Sequence, residues 1–222
     1  MSLRDEQIDL YSRQIILREL GGVGQRRLLE ARCLLVGAGS AIEFAASYLA
    51  GAGIGRLDRL ATERSRTALA PLADRNPDVE LRMLEPGSAI DLGAYDAAVL
   101  DLGAVTSSRI GGGRATIGEV GIGASSDGAR EILVVPAAAD ACVACAAPAP
   151  DGRPVTPDAV LDAFAGAMSA LVVLRWLAGI DADRAVRRLV LGSDSPTWRD
   201  EPVGARSPCT RPCRSGTQPL GS

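Results

Sequence analysis

Apolar and charged residues recur at roughly helical spacing over the first thirty positions. Ile8, Leu10, Tyr11, Ile15, Ile16 and Leu20 predict one amphipathic helix over 5–19, broken by Gly21-Gly22, with a short second helix over 25–30. The period then changes. Cys33-Leu34-Leu35-Val36 is a short apolar run that ends in Gly37-Ala38-Gly39, and 41–50 returns to a helical pattern closed near Gly51 and Gly53. Strand, glycine turn and helix in that order open a nucleotide-binding α/β unit.

The alternation continues, with strands predicted at 56–60, 79–84 and 97–101 and a helix over 62–73 between the first two. Further strands are predicted near 116–122 and 131–135, then a cysteine-containing loop and a Pro/Asp/Gly-rich connection over 148–158. Residues 159–179 read as a long, almost wholly apolar helix, and 187–191 as a last strand. The expected fold is a doubly wound, Rossmann-like α/β domain with a mostly parallel sheet and helices on both faces. One domain fills 1–222: a helical leading segment (1–31), an α/β core (32–198) and a cysteine-containing tail (199–222), which its cysteines hold or nothing does.

Composition narrows the chemistry. The chain of 222 residues is 47% hydrophobic, enough for a sizeable core, and carries a formal charge of −3, which offers no basic field for nucleic acid or an anionic membrane. It has no His, and all 24 of its Lys/Arg positions are Arg. A guanidinium stays protonated, so Ser-His-Asp and Cys-His catalysis and any phosphate-binding lysine are excluded. No basic leader with an apolar core opens the sequence and no apolar stretch reads as a membrane span, so a cytoplasmic setting is expected. Of five cysteines, Cys33 lies in the first strand; Cys142 with Cys145 and Cys209 with Cys213 form two close pairs, which suggest a metal site before a disulfide framework.

Three stretches carry a resemblance: Tyr11-Ser12-Arg13-Gln14-Ile15-Ile16-Leu17 followed by Gly24-Gln25, the two cysteine pairs, and Ala165-Gly166-Ala167-Met168 running into an apolar helix. Together, in this order, they resemble the ThiF/MoeB family of ubiquitin-like-protein activating enzymes. The resemblance implies ATP-dependent adenylation, with Mg2+, of the C-terminal glycine of a ubiquitin-like or sulfur-carrier protein. It also implies a dimer in which Arg13 reaches the neighbouring subunit's ATP, and a structural Zn2+ held by Cys142, Cys145, Cys209 and Cys213, although the second pair has three intervening residues where the family has two.

Most of the family's ATP-handling residues are missing. Gly37 and Gly39 match the glycine turn, but Ser40 and Ile42 stand where the family has glycines, and a branched Ile42 is expected to crowd a phosphate. The acidic residue after the second strand falls at Ala61, and the following crossover is short, with no Asn or Lys over 62–71. Asp101 survives at the end of the fourth strand, while its acidic partner falls near Gly103 or Ala104 and the catalytic cysteine is absent. The reading is a degenerate member acting as a non-catalytic dimer partner of an active homologue or as a holder of a carrier protein or peptide. The alternative is an active adenylyltransferase in which Arg64, Arg66 or Asp58 substitutes for the lost contacts. A dinucleotide-binding protein is disfavoured, because no acidic residue closes the second strand. Gly37 and Gly39 also fit a packing turn, Arg13 a solvated helix charge, and Asp101 a turn cap.

Overall fold

A computed structural model describes residues 3–60, 76–85, 88, 90–103, 117–125, 128–137, 139, 143–147, 158–180, 185–192 and 197–203. Its helices are α1 (Asp5–Leu10), α2 (Ser12–Ile15), α3 (Gly21–Glu30), α4 (Ser40–Ala52), α5 (Val143–Ala146) and α6 (Ala159–Ala178). The strands are β1 (Arg32–Val36), β2 (Arg56–Leu60), β3 (Glu80–Leu84), β4 (Ala97–Asp101), β5 (Gly118–Ala124), β6 (Arg130–Val135), β7 (Arg187–Leu191) and β8 (Trp198–Pro202). They form one sheet in the order β3-β2-β1-β4-β5-β6-β7-β8. Pairings from β3 across to β5 are parallel, and those from β5 to β8 are antiparallel. The sheet is therefore mixed. The chain runs outward from β1 through β2 to β3, then returns to place β4 on the other side of β1. That reversal makes a switch point, where doubly wound sheets open a crevice beyond the strands' carboxyl ends.

Alternation along β1 divides the core into two layers. Cys33 and Leu35 face α4 and α6 with Leu57, Val99, Val120 and Ile132, against Ile42, Ala45, Leu49, Ala165 and Val173. Leu34 and Val36 face the other side with Ala98, Leu100, Leu133 and Val135, against Tyr95, Leu102 and Val143. Among the described residues the long sheet-covering helices, α4 and α6, share one face, where helices on both faces were expected. The small residues over 163–170 permit the close crossing of these two: a Cβ at Gly166 would collide with the Ala41 carbonyl oxygen and the Phe44 Cβ. At the other end of α6, Trp176 lies over Gly118 of β5. Asp158 caps α6 by accepting from the Val160 and Leu161 N–H groups at 3.0 Å, and Gly179, at φ 78°, closes it. By length and composition alone α6 is apolar enough to cross a membrane, contrary to the sequence reading. Its residues Ala165, Ala170, Val173 and Ala178 pack in the domain core.

Two boundaries depart from the sequence pattern. The expected single helix over 5–19 breaks at Tyr11, whose ring turns into the core; from 3 to 20 it is the one fully buried residue, while Ile8, Leu10, Ile16 and Leu17 stay exposed. The Tyr11 hydroxyl lies 3.0 Å from Asn76 Oδ1 and 3.2 Å from Asp78 Oδ2, and Asn76 in turn donates to the Ala50 carbonyl at 2.8 Å. Gly21 then starts α3 and does not merely end a helix. The other departure is β8, which lies where an unstructured tail was expected after residue 198. Its charges hide a strand that the register explains: Arg188 stands opposite Glu201 and bonds it at 2.7 Å, and Arg187 bonds Asp200 at 2.8 Å.

Candidate nucleotide-binding crevice

The switch point brings Gly37, Gly39 and Asp101 together. Gly37 (φ 114°) and Gly39 (φ 118°) hold backbone conformations that disfavour side chains. At Gly37 space forbids one as well, since a Cβ would collide with the Asp101 side chain; a Cβ at Gly39 would meet nothing within 4 Å among the described residues beyond its chain neighbours. Gly39 is the N-cap of α4, and no side chain caps that helix. Its first N–H groups thus point at an open approach, the usual arrangement for an anion. Ile42 does not crowd this approach: it is 1% exposed and packs in the core. At the third position of α4 its side chain turns toward the sheet, which corrects the expected obstruction.

Asp101 behaves as a turn cap. Its Oδ1 accepts from the Gly103 N–H at 2.9 Å, where Leu102 and Gly103 begin a helical turn. Asp58 lies away from the turn, on the opposite face of β2. Burial raises its pKa, but hydrogen bonds from Arg56 Nε (2.7 Å) and the Tyr95 hydroxyl (2.8 Å) outweigh that and hold it below the usual carboxylate range. It is therefore a structural anion and no substitute at the crevice. Arg64 and Arg66 lie outside the described residues.

Sequence reasoning missed Arg59. Its side chain is 0% exposed, on the α4 face of β2. Nη2 donates to the Gly37 carbonyl at 3.4 Å, and Nη1 lies 2.6 Å from Glu43 Oε1 in the first turn of α4. That approach is an ion pair without hydrogen-bond alignment, so Nη1 and Nε both lack a hydrogen-bond acceptor. The available signal was a charge at an inward position of Arg56-Leu57-Asp58-Arg59-Leu60, in register with Leu57.

Arg13 lies exposed on α2. Cys142, Cys209 and Cys213 fall outside the described residues; Cys145 lies on α5, and its side chain is likewise outside them. Among the described residues no group of three metal-binding side chains forms. The turn that carries Cys145 is anchored by Glu119, which accepts from the Val143 N–H at 2.8 Å and whose burial pushes its carboxyl up. Cys33 is a fully buried core thiol, pushed up by desolvation.

A sheet switch point with a glycine turn at the start of α4 gives this doubly wound α/β fold the architecture on which nucleotide sites are commonly built. The ThiF family model matches residues 11–60 of this chain. The chain is 35% identical over 106 residues to the SAMP-activating enzyme E1 of Haloferax volcanii, an alignment of 38% of this chain and 39% of that protein. With the adenylyltransferase and sulfurtransferase MOCS3 of Anopheles gambiae the identity is 56% over 55 residues, 25% of this chain and 12% of that one. The matched region is thus well under two thirds of either relative. Escherichia coli MccB crystallised with MccA has the same fold over 95% of this chain and 75% of its own, with a TM-score of 0.68 at 16% identity. MccB with ATP gives 0.65 at 17%, over 92% and 74%.

Proposed function

We propose that this adenylyltransferase-like chain is a non-catalytic binding or dimer partner, serving an active homologue or holding a carrier protein or peptide. The observation that carries the reading is the end of β4. Asp101 is turned back onto the Gly103 N–H, and by the resemblance the family's second acidic residue falls near Gly103 or Ala104. Activating a carboxyl terminus on ATP requires the charge of the phosphates and the leaving pyrophosphate to be neutralised, and a Mg2+ ion does this from a carboxylate set. Among the described residues the turn offers one carboxylate, whose Oδ1 already accepts from the Gly103 N–H, a poor set for Mg2+.

In this reading Arg13, exposed on α2, is lent to the ATP of a second ThiF/MoeB-type subunit in a homo- or heterodimer. Cys142, Cys145, Cys209 and Cys213 hold a structural Zn2+, a donor set supported by thiolate chemistry and spacing. The setting is cytoplasmic, and nucleic acid and membranes are not partners. MccB crystallised with MccA, and a relative named for activating SAMP, support a carrier protein or peptide as the other partner.

Two observations favour the active alternative, an adenylyltransferase of a ubiquitin-like or sulfur-carrier terminus: Ile42 is turned into the core, and a Cβ at Gly39 would meet nothing within 4 Å among the described residues beyond its chain neighbours. ATP–pyrophosphate exchange separates the two. The chain, alone and with candidate carriers, is expected to give no exchange, while a ThiF-type protein or a carrier co-purifies with it. Exchange by the chain itself, lost in Asp101→Ala, would establish the alternative.

A further inference from the structure

We propose that Arg59 is the anion-binding cation of the glycine turn, and that Glu43 is the carboxylate whose hold on Arg59 a bound phosphate group displaces. This goes beyond the proposed function and rests on the glycine turn at the start of α4. Four observations converge. The guanidinium is 0% exposed, yet among the described residues Nε has no hydrogen-bond acceptor and Nη1 meets only the unaligned Glu43 carboxylate; buried arginines normally satisfy their donors, so this cation is poised for a further acceptor. It touches the turn itself, through the Gly37 carbonyl at 3.4 Å.

The third observation is that α4, thirteen residues long, has no side-chain cap, so its dipole and first N–H groups favour an anion at the same place. The fourth is that, among the described residues, nothing beyond the chain neighbours lies within 4 Å of a notional Cβ at Gly39, so a ligand's oxygens can approach the backbone closely. With no lysine in the chain, an arginine is the side-chain cation available for the purpose.

Glu43 explains how the charge is tolerated. Its carboxylate lies 2.6 Å from Nη1 but is itself 34% exposed, so water can take it over when another anion arrives. Phosphate oxygens suit the guanidinium fork better than an unaligned carboxylate does. The ligand class is a phosphate group on a di- or triphosphate, carried by a nucleotide or free as pyrophosphate.

The test is calorimetric titration of the full chain with ATP, pyrophosphate and adenosine, for wild type, Arg59→Met, Arg59→Lys and Glu43→Gln, each checked for folding by thermal melting. Wild type is expected to bind ATP and pyrophosphate but not adenosine. Tighter ATP than pyrophosphate assigns the phosphate to a nucleotide, and the reverse order to free pyrophosphate. Arg59→Met should weaken both by about tenfold or more, and Glu43→Gln should tighten both several-fold by freeing the guanidinium. A merely structural ion pair predicts instead that both variants lose stability with no gain in affinity. If Arg59→Met does not fold, Arg59→Lys, which keeps charge without the fork, is expected to weaken binding while Glu43→Gln tightens it. Unchanged affinity in a folded Arg59 variant, weaker binding in Glu43→Gln, adenosine binding as tight as ATP, or no binding by wild type would each overturn the proposal. Absence of ATP binding by wild type would also exclude exchange, whereas the variant affinities overturn this proposal alone and leave the proposed function to the exchange and co-purification test.

Discussion

Two tyrosines hold parts of this molecule through buried hydroxyls. Tyr11 ties the leading segment to Asn76 and Asp78, and Tyr95 donates to Asp58 between strands. Burial pushes each phenol from 10.0 to about 12, with further contributions from the neighbouring carboxylates. In the folded chain the neutral form is favoured, whereas the unfolded chain ionises first. The stability from these sites is therefore complete below pH 10 and falls as pH rises from 10 through 12. Urea unfolding at stepped alkaline pH should show that decline, and Tyr11→Phe with Tyr95→Phe should flatten it; an unaltered slope in the double variant would assign the loss to other groups. At this scale sequence reading was uneven. Gly37, Gly39 and Asp101 were legible because turn chemistry is local, and Cys33 because its strand is apolar. Arg59 and Asp58 were not, because a charge inside a short strand looks alike whether a helix covers it or water does.

Among the elements, the run of small residues over 163–170 of α6 suits close helix approach, but that its partner is α4 became visible only in the packed structure. Gly166 sits where the two backbones come nearest. Gly166→Val should force them apart and cost about 1–3 kcal/mol, read as a lower urea midpoint at unchanged slope. A midpoint within error of wild type would mean the crossing is looser than the structure has it. The leading helix shows the same limit. Its apolar spacing was read correctly, but only Tyr11 is buried, and reaching Asn76 breaks the helix at that residue. Strand β8 escaped the pattern altogether because Arg199, Asp200 and Glu201 remove the apolar alternation. Cross-strand charge pairs with β7, visible only once the register is known, replace it.

For the whole molecule, a shared zinc would link the turn that carries Cys145 to residues 209–213. If the two cysteine pairs hold zinc, the purified protein should contain it stoichiometrically, and strong chelation or Cys209→Ser should lower the melting temperature and open the tail to protease. Metal-free protein with an unshifted melting curve would remove the clamp from the reading. What the sequence by itself determined was local and periodic: the strand–glycine turn–helix opening, most strands to within two residues, the chemistry excluded by the absence of His and Lys, and the family likeness of residues 11–60. Tertiary structure alone decided the sheet order that sets Gly37 beside Asp101, the turning of Ile42 into the core, and the burial of Arg59 against Glu43. The reason is physical: helix and strand periods arise from neighbouring residues, whereas the burial of a charge and the opening of a turn depend on which distant segment packs over them.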